Sequence, residues 1–164
     1  MNRTWLILTL TAVLFGVLAP AALASDDSVY KAYVSRDSGF SRLGKQLKKD
    51  LKTWVDSGRT KQGPALKTIR QSRALCADVV AAMKAESPSS SNGSKAKKQA
   101  IPSVKDLSAS LKALAGGIRA RTAHHAAKAK KLAAKADDLL DRSLKEQKRA
   151  RRFFKAAGVQ IKPA

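Results

Sequence analysis

Cysteine, aromatic side chains and negative charge are all scarce in this chain, and each scarcity excludes something. Cys76 is the only cysteine in 164 residues, so no internal disulfide is available and the fold must stand on packing. Aromatic residues make up 5% of the chain, and the β-branched clusters expected of strands are missing. Abundant Ala, Leu and Lys point instead to helices. Asp and Glu number 12 against 33 Lys and Arg, so acid–base chemistry has few carboxylates to draw on. Asp137, Asp138 and Asp141 lie close together, but among basic neighbours that suit surface pairing better than catalysis. There is no phosphate-binding glycine loop, no H-E-x-x-H pattern and no nucleophile–base–acid set. His124 and His125 are adjacent, so on a helix they point about 100° apart. Their i±4 neighbours are Ala120, Arg121, Lys128 and Ala129, none of them a metal ligand. The expectation is a protein that is not an enzyme, with no metal and no cofactor.

The first 24 residues have the order of an export signal. Asn2 and Arg3 give a short positive start, and Trp5 to Leu18 is apolar apart from Thr9 and Thr11. Pro20 breaks the run, and Ala22-Leu23-Ala24 follows. A signal peptidase needs small side chains at the third and first positions before its cut, which places the cut between Ala24 and Ser25. The alternative is an uncleaved anchor, since the uncharged stretch nears the ~20 residues that span a bilayer. The short Ala-rich signal suits a bacterium, with a periplasmic or extracellular destination.

Removing residues 1–24 takes away one cation, Arg3, and leaves 32 basic against 12 acidic residues, a net charge of +20. A field of that sign draws polyanions and anionic surfaces over about 8–10 Å at ordinary salt. Outside a cell these are anionic envelope polymers, acidic lipid surfaces and extracellular nucleic acid.

Along the mature chain the apolar pattern is helical throughout. Val29, Tyr33, Phe40, Leu43, Leu47, Leu51 and Trp54 form one stripe, closed by Ser57-Gly58. A second segment opens at Pro64 and carries Leu66, Ile69, Cys76, Val80 and Met83 to about Glu86. Residues 25–86 therefore read as a helical hairpin, with Cys76 on its apolar stripe. That position suits a buried structural thiol, an intermolecular disulfide being the alternative. Residues 87–102 read as a flexible Ser/Gly/Lys linker. A third, long basic segment, 103–164, opens on an S-x-x-D cap at Ser103 and Asp106. It carries Val104, Leu107, Leu111, Leu114 and Ile118, then a smooth Ala face from Thr122 to Ala136. Unbroken to Ala157 it would span roughly 80 Å, against about 43 Å for the first helix. Either it bends at Gly116-Gly117 to give a fourth helix, or its C-terminal half projects. The expected fold is all-α: a three- to four-helix bundle with long helices, 25–164 a single domain, preceded by the cleavable signal.

The pattern that bears most on function is a basic column. Arg121, Lys128, Lys135, Arg142 and Arg149 are seven residues apart, about 10.5 Å of rise with little rotation, so on one helix they would share a side. Such a column suits a linear polyanion or an acidic lipid surface. Equally, it suits a solvated face, with Asp138–Arg142 and Asp141–Lys145 as ordinary i,i+4 pairs. Phe153-Phe154 behind Arg151 and Arg152 fits either a membrane interface or the packed end of the bundle. The functional expectation is an exported, non-enzymatic protein binding an anionic polymer or surface through the column. The alternative is a structural module whose Ala face pairs with a helical partner or a second copy.

Overall fold

The computed structural model describes residues 25–161; the export signal and its cut lie outside the described residues. The described part of the chain is all-α. Five helices and no strand occur among the described residues: α1 (Ser25–Val34), α2 (Asp37–Asp56), α3 (Gly63–Ala85), α4 (Ser91–Thr122) and α5 (Ala126–Ala156). Backbone neighbours run in sequence, α2 on α3, α3 on α4 and α4 on α5, with α1 across α3 and α4.

The helical stripes meet in one core. Val29, Tyr33, Phe40 and Leu47 from the first stripe, Ile69, Cys76 and Met83 from the second, and Val104, Leu111 and Ile118 from the third are all buried. Phe154 is fully buried, stacked on Tyr33 at 6.1 Å between centroids and edge-on to Tyr30 at 5.1 Å. The bundle end therefore takes it, with Phe153 half-buried beside it. Burial pushes the Cys76 thiol up to about 12, so it remains a thiol at neutral pH.

The linker expected over 87–102 is corrected. Only five residues, 86–90, separate α3 from α4, and the helix runs on through Pro102. An interior proline removes one ladder bond and costs about 3 kcal/mol, so something must hold the segment. Distant caps do part of it. Asp26, near the start of α1, is 2% exposed and accepts from the backbone N–H of Ser89 at 2.8 Å and of Ser90 at 3.2 Å. Ser90 in turn accepts from Gly93 N at 2.9 Å, so it caps α4, and not Ser103. Asn92 donates to the Ala156 carbonyl at the end of α5, and Lys97 to the Lys84 and Glu86 carbonyls at the end of α3. Ala96 and Ala100 are completely buried. The polar composition that resembles a linker is a set of caps binding three helix ends together.

Neither alternative for the long third segment holds, the bend at Gly116-Gly117 or the projecting C-terminal half. α4 continues through both glycines, and the chain reverses at 123–125. His124 takes the left-handed conformation, φ 60°. Its N–H donates to Arg121 O at 3.1 Å, and that of His125 to Ala120 O at 2.8 Å. This is the same terminating pattern that Gly58 and Gly158 make at the ends of α2 and α5. The glycines serve packing: a Cβ on Gly116 would lie 3.1 Å from Leu132 Cδ1.

α4 and α5 thus form an antiparallel hairpin along a seam of small residues. Ser110 Oγ donates to the Ala136 carbonyl at 2.7 Å, and Ser143 Oγ to the Ser103 carbonyl at 2.7 Å. A serine reaches the backbone of a facing helix only when the two backbones approach closely, which Ala136 and Ala150, both fully buried, permit. The Ala face that suggested an outside partner is covered only in part from within the chain: Ala129 and Ala136 are buried, while Ala126 and Ala133 stay exposed.

Candidate functional site: a cation-rimmed groove

The reversal at 123–125 divides the basic column. Arg121 ends α4, while Lys128, Lys135, Arg142 and Arg149 continue the seven-residue spacing along α5. All five are exposed. Arg142 is not paired within its helix. Its guanidinium donates bidentately to Asp106 of α4, Nε to Oδ2 at 2.9 Å and Nη2 to Oδ1 at 2.8 Å. Glu146 beside it is pushed up by burial and by the Asp106 charge, against the pull of Arg142 and Arg149. Part of the row is therefore occupied with the hairpin's own carboxylates.

Arg121 joins a different set of cations. A groove of about 1010 Å³ opens between α2 and the turn end of the α4/α5 hairpin. Its rim carries Lys45, Lys48, Lys49 and Lys52 of α2, Arg59 just beyond it, and Arg121 and Lys130 of the hairpin. Against these seven cations stands one carboxylate, Asp56, which already pairs with Lys52. The floor is apolar: Leu51, Trp54 and Val55 on one side, Leu114, Ile118 and Gly117 beneath, and Ala126, Ala129 and Ala133 on the other.

Local sequence explains why this space stays open. The stretch from Arg119 to Lys131 has no large apolar residue, so α5 reaches towards α2 with alanines that cannot fill the gap. Trp54 spans part of it as a strut. Its indole N–H donates to the Arg59 carbonyl at 2.9 Å and to Thr122 Oγ1 at 3.2 Å, and Thr122 Oγ1 donates to the same carbonyl at 3.0 Å. The end of α2 is thereby tied to the end of α4. Arg59, left-handed at φ 69°, lies at the rim. Val55 remains 51% exposed, the one large hydrophobic residue so exposed among the described residues.

In the sequence Lys45, Lys48, Lys49 and Lys52 fall largely off the apolar stripe of the first segment, a position that by itself assigns them nothing further. The signal that marks them is local: lysines on one turn after another, running directly into Trp54-Val55. His124 and His125 lie in the exposed turn, and among the described residues no group of three His, Cys, Asp or Glu is placed to hold a metal. Nor is any described helix long and apolar enough to cross a membrane.

No protein-family model, no curated protein and no solved structure matches this chain.

Proposed function

We propose that the mature chain is an exported, non-enzymatic protein that binds an anionic polymer or surface of the cell envelope or exterior. The observation that carries this reading is the groove rim, where seven cations from three helix regions face one space with a single, already paired carboxylate. Cations that close together repel one another, and an anion between them removes that cost. The α5 row, Lys128, Lys135, Arg142 and Arg149, is a second exposed basic feature on the same body. The competing reading, a helical module awaiting a partner, keeps the exposed Ala126 and Ala133 as its support, while Ala129 and Ala136 of the same face are buried within the chain.

Salt dependence tests the proposal. With duplex DNA as a model polyanion, each phosphate contact contributes about 0.9 to the log–log salt slope. The wild-type chain is expected to give a slope of at least about 4. Replacing Lys45, Lys48, Lys49 and Lys52 by Gln should remove most of it, and replacing Lys128, Lys135, Arg142 and Arg149 by Gln should remove less. Gln keeps helix propensity, so lost binding does not merely report unfolding. Equal losses in the two variants would reduce the effect to net charge. Retention of full binding by both would sink the reading and advance the helical-partner one.

A further inference from the structure

Charge alone has no use for an apolar floor. Resting on the reading above, we propose that the groove holds one acyl chain of an anionic lipid, the chain on the floor and the headgroup among the rim cations. Three observations converge on this occupant. The floor is lined by Leu51, Trp54, Val55, Leu114 and Ile118; Leu51, Leu114 and Ile118 are buried in its base, and Val55 is left half in water, the one large hydrophobic residue so exposed among the described residues. The space, about 1010 Å³, lies at the upper end of the roughly 300–1,000 Å³ typical of sites for small ligands. The rim is almost wholly cationic, which suits a phosphate-bearing headgroup; lysines engage phosphate as compact point charges. A second copy of this chain would bring the same cations to the same rim, and a neutral apolar peptide would bring no negative charge to it. An anion carrying a hydrocarbon chain answers both halves of the groove at once.

The test uses the chain carrying Trp5→Phe, which leaves Trp54 as its only indole. The probe is palmitoyl-lysophosphatidylglycerol, kept below the concentration at which it forms micelles, with Trp54 emission as the readout. Saturable binding of one lipid per chain with a blue shift is expected. Lysophosphatidylcholine with the same chain, and glycerophosphoglycerol with no chain, should each bind at least about tenfold more weakly. The lauroyl analogue, four methylenes shorter, should also lose at least about tenfold, because each methylene buried is worth up to roughly fourfold in affinity. Ala133→Glu puts a carboxylate into the groove from an exposed position and should weaken binding by at least about tenfold. Ala134→Glu, equally exposed but outside the groove, makes the same change in net charge and should stay within about twofold of wild type.

Equal affinity for the lipid and for glycerophosphoglycerol would overturn the acyl-chain proposal, as would equal losses in the two Glu variants. Failure to bind the lipid while anionic polymers or vesicles still bind would overturn it and leave the charge reading standing. A concentration-dependent dimer that Ala133→Glu disrupts would give the groove to a second copy instead. Binding to no anion of any kind would remove both readings together.

Discussion

Gly93→Ala should be among the most damaging single-methyl additions in this protein. Gly93 lies in the first turn of α4, where alanine would ordinarily be favoured by about 0.5–1 kcal/mol. Here a Cβ would stand 1.8 Å from Asp26 Oδ1 and 2.4 Å from its Cγ. The Asp26 carboxylate cannot stay in place, and moving it breaks the bonds it accepts from Ser89 N and Ser90 N. Hydrogen bonds to a charged group contribute about 1.5–3 kcal/mol each. Partial rescue by water and the helix-propensity gain leave a net loss of about 2–3 kcal/mol, or roughly 5–15 °C in melting temperature. Thermal unfolding followed by circular dichroism reads this directly. A double-mutant cycle gives the sharper measurement. With Asp26→Ala in the background there is no carboxylate to strike, so Gly93→Ala should become neutral or stabilising by up to about 1 kcal/mol. The cycle also has a pH signature. Burial raises the Asp26 pKa, but the hydrogen bonds from Ser90 and Ser89 outweigh it and hold the group below its ordinary 3.8. Asp26 therefore adds stability that is present above pH 3.8 and is lost as pH falls through its lower folded value. Acid unfolding should be correspondingly shallower in Asp26→Ala. If Gly93→Ala melts with the wild type, or costs the same in both backgrounds, the capping account of α4 is wrong.

Two further outcomes follow from the same structure. Limited trypsin should cut first at Arg59 or Lys61, in the exposed turn between α2 and α3, before Lys95, Lys97 or Lys98, which lie within α4; early cuts at the latter three would restore the linker. Burial pushes the Asp37 carboxyl up to about 8 against the pull of Arg151, and its Oδ1 is buried without a hydrogen bond. Stability from its protonated form is complete below pH 3.8 and is lost as pH rises through about 8. Asp37→Asn should flatten that part of the stability–pH curve, and an unchanged curve would place the titration elsewhere.

Much of the fold is legible locally because helix formation and amphipathicity are local properties. Spacings of three, four and seven from Val29 to Trp54 and from Leu66 to Met83 mark faces that are largely buried in the structure, although the first segment, read as one helix, is divided at Ser35-Arg36 into α1 and α2. Gly58 and Gly158 end their helices because a left-handed residue after the last turn favours glycine. The burial of Cys76 is likewise legible, since it stands on a stripe that has to go inside.

Other features depend on residues far apart in the chain. A Ser/Gly/Lys stretch followed by Pro102 reads as linker when only its neighbours count; it is helical because Asp26, Ala156 and the end of α3 supply partners that a local window does not contain. The reversal falls at His124 and not at the glycines because close packing against Leu132 uses Gly116 inside the helix, while a histidine accepts the left-handed turn. That choice divides the basic column and sends Arg121 to join lysines on α2, some 70 residues earlier. The helical content and the excess of positive charge belong to the sequence by itself, as they are sums over neighbours or over composition. The groove belongs to the tertiary structure alone: it is space left between helices, and no residue encodes it until α5 brings alanines where a larger side chain would have closed it.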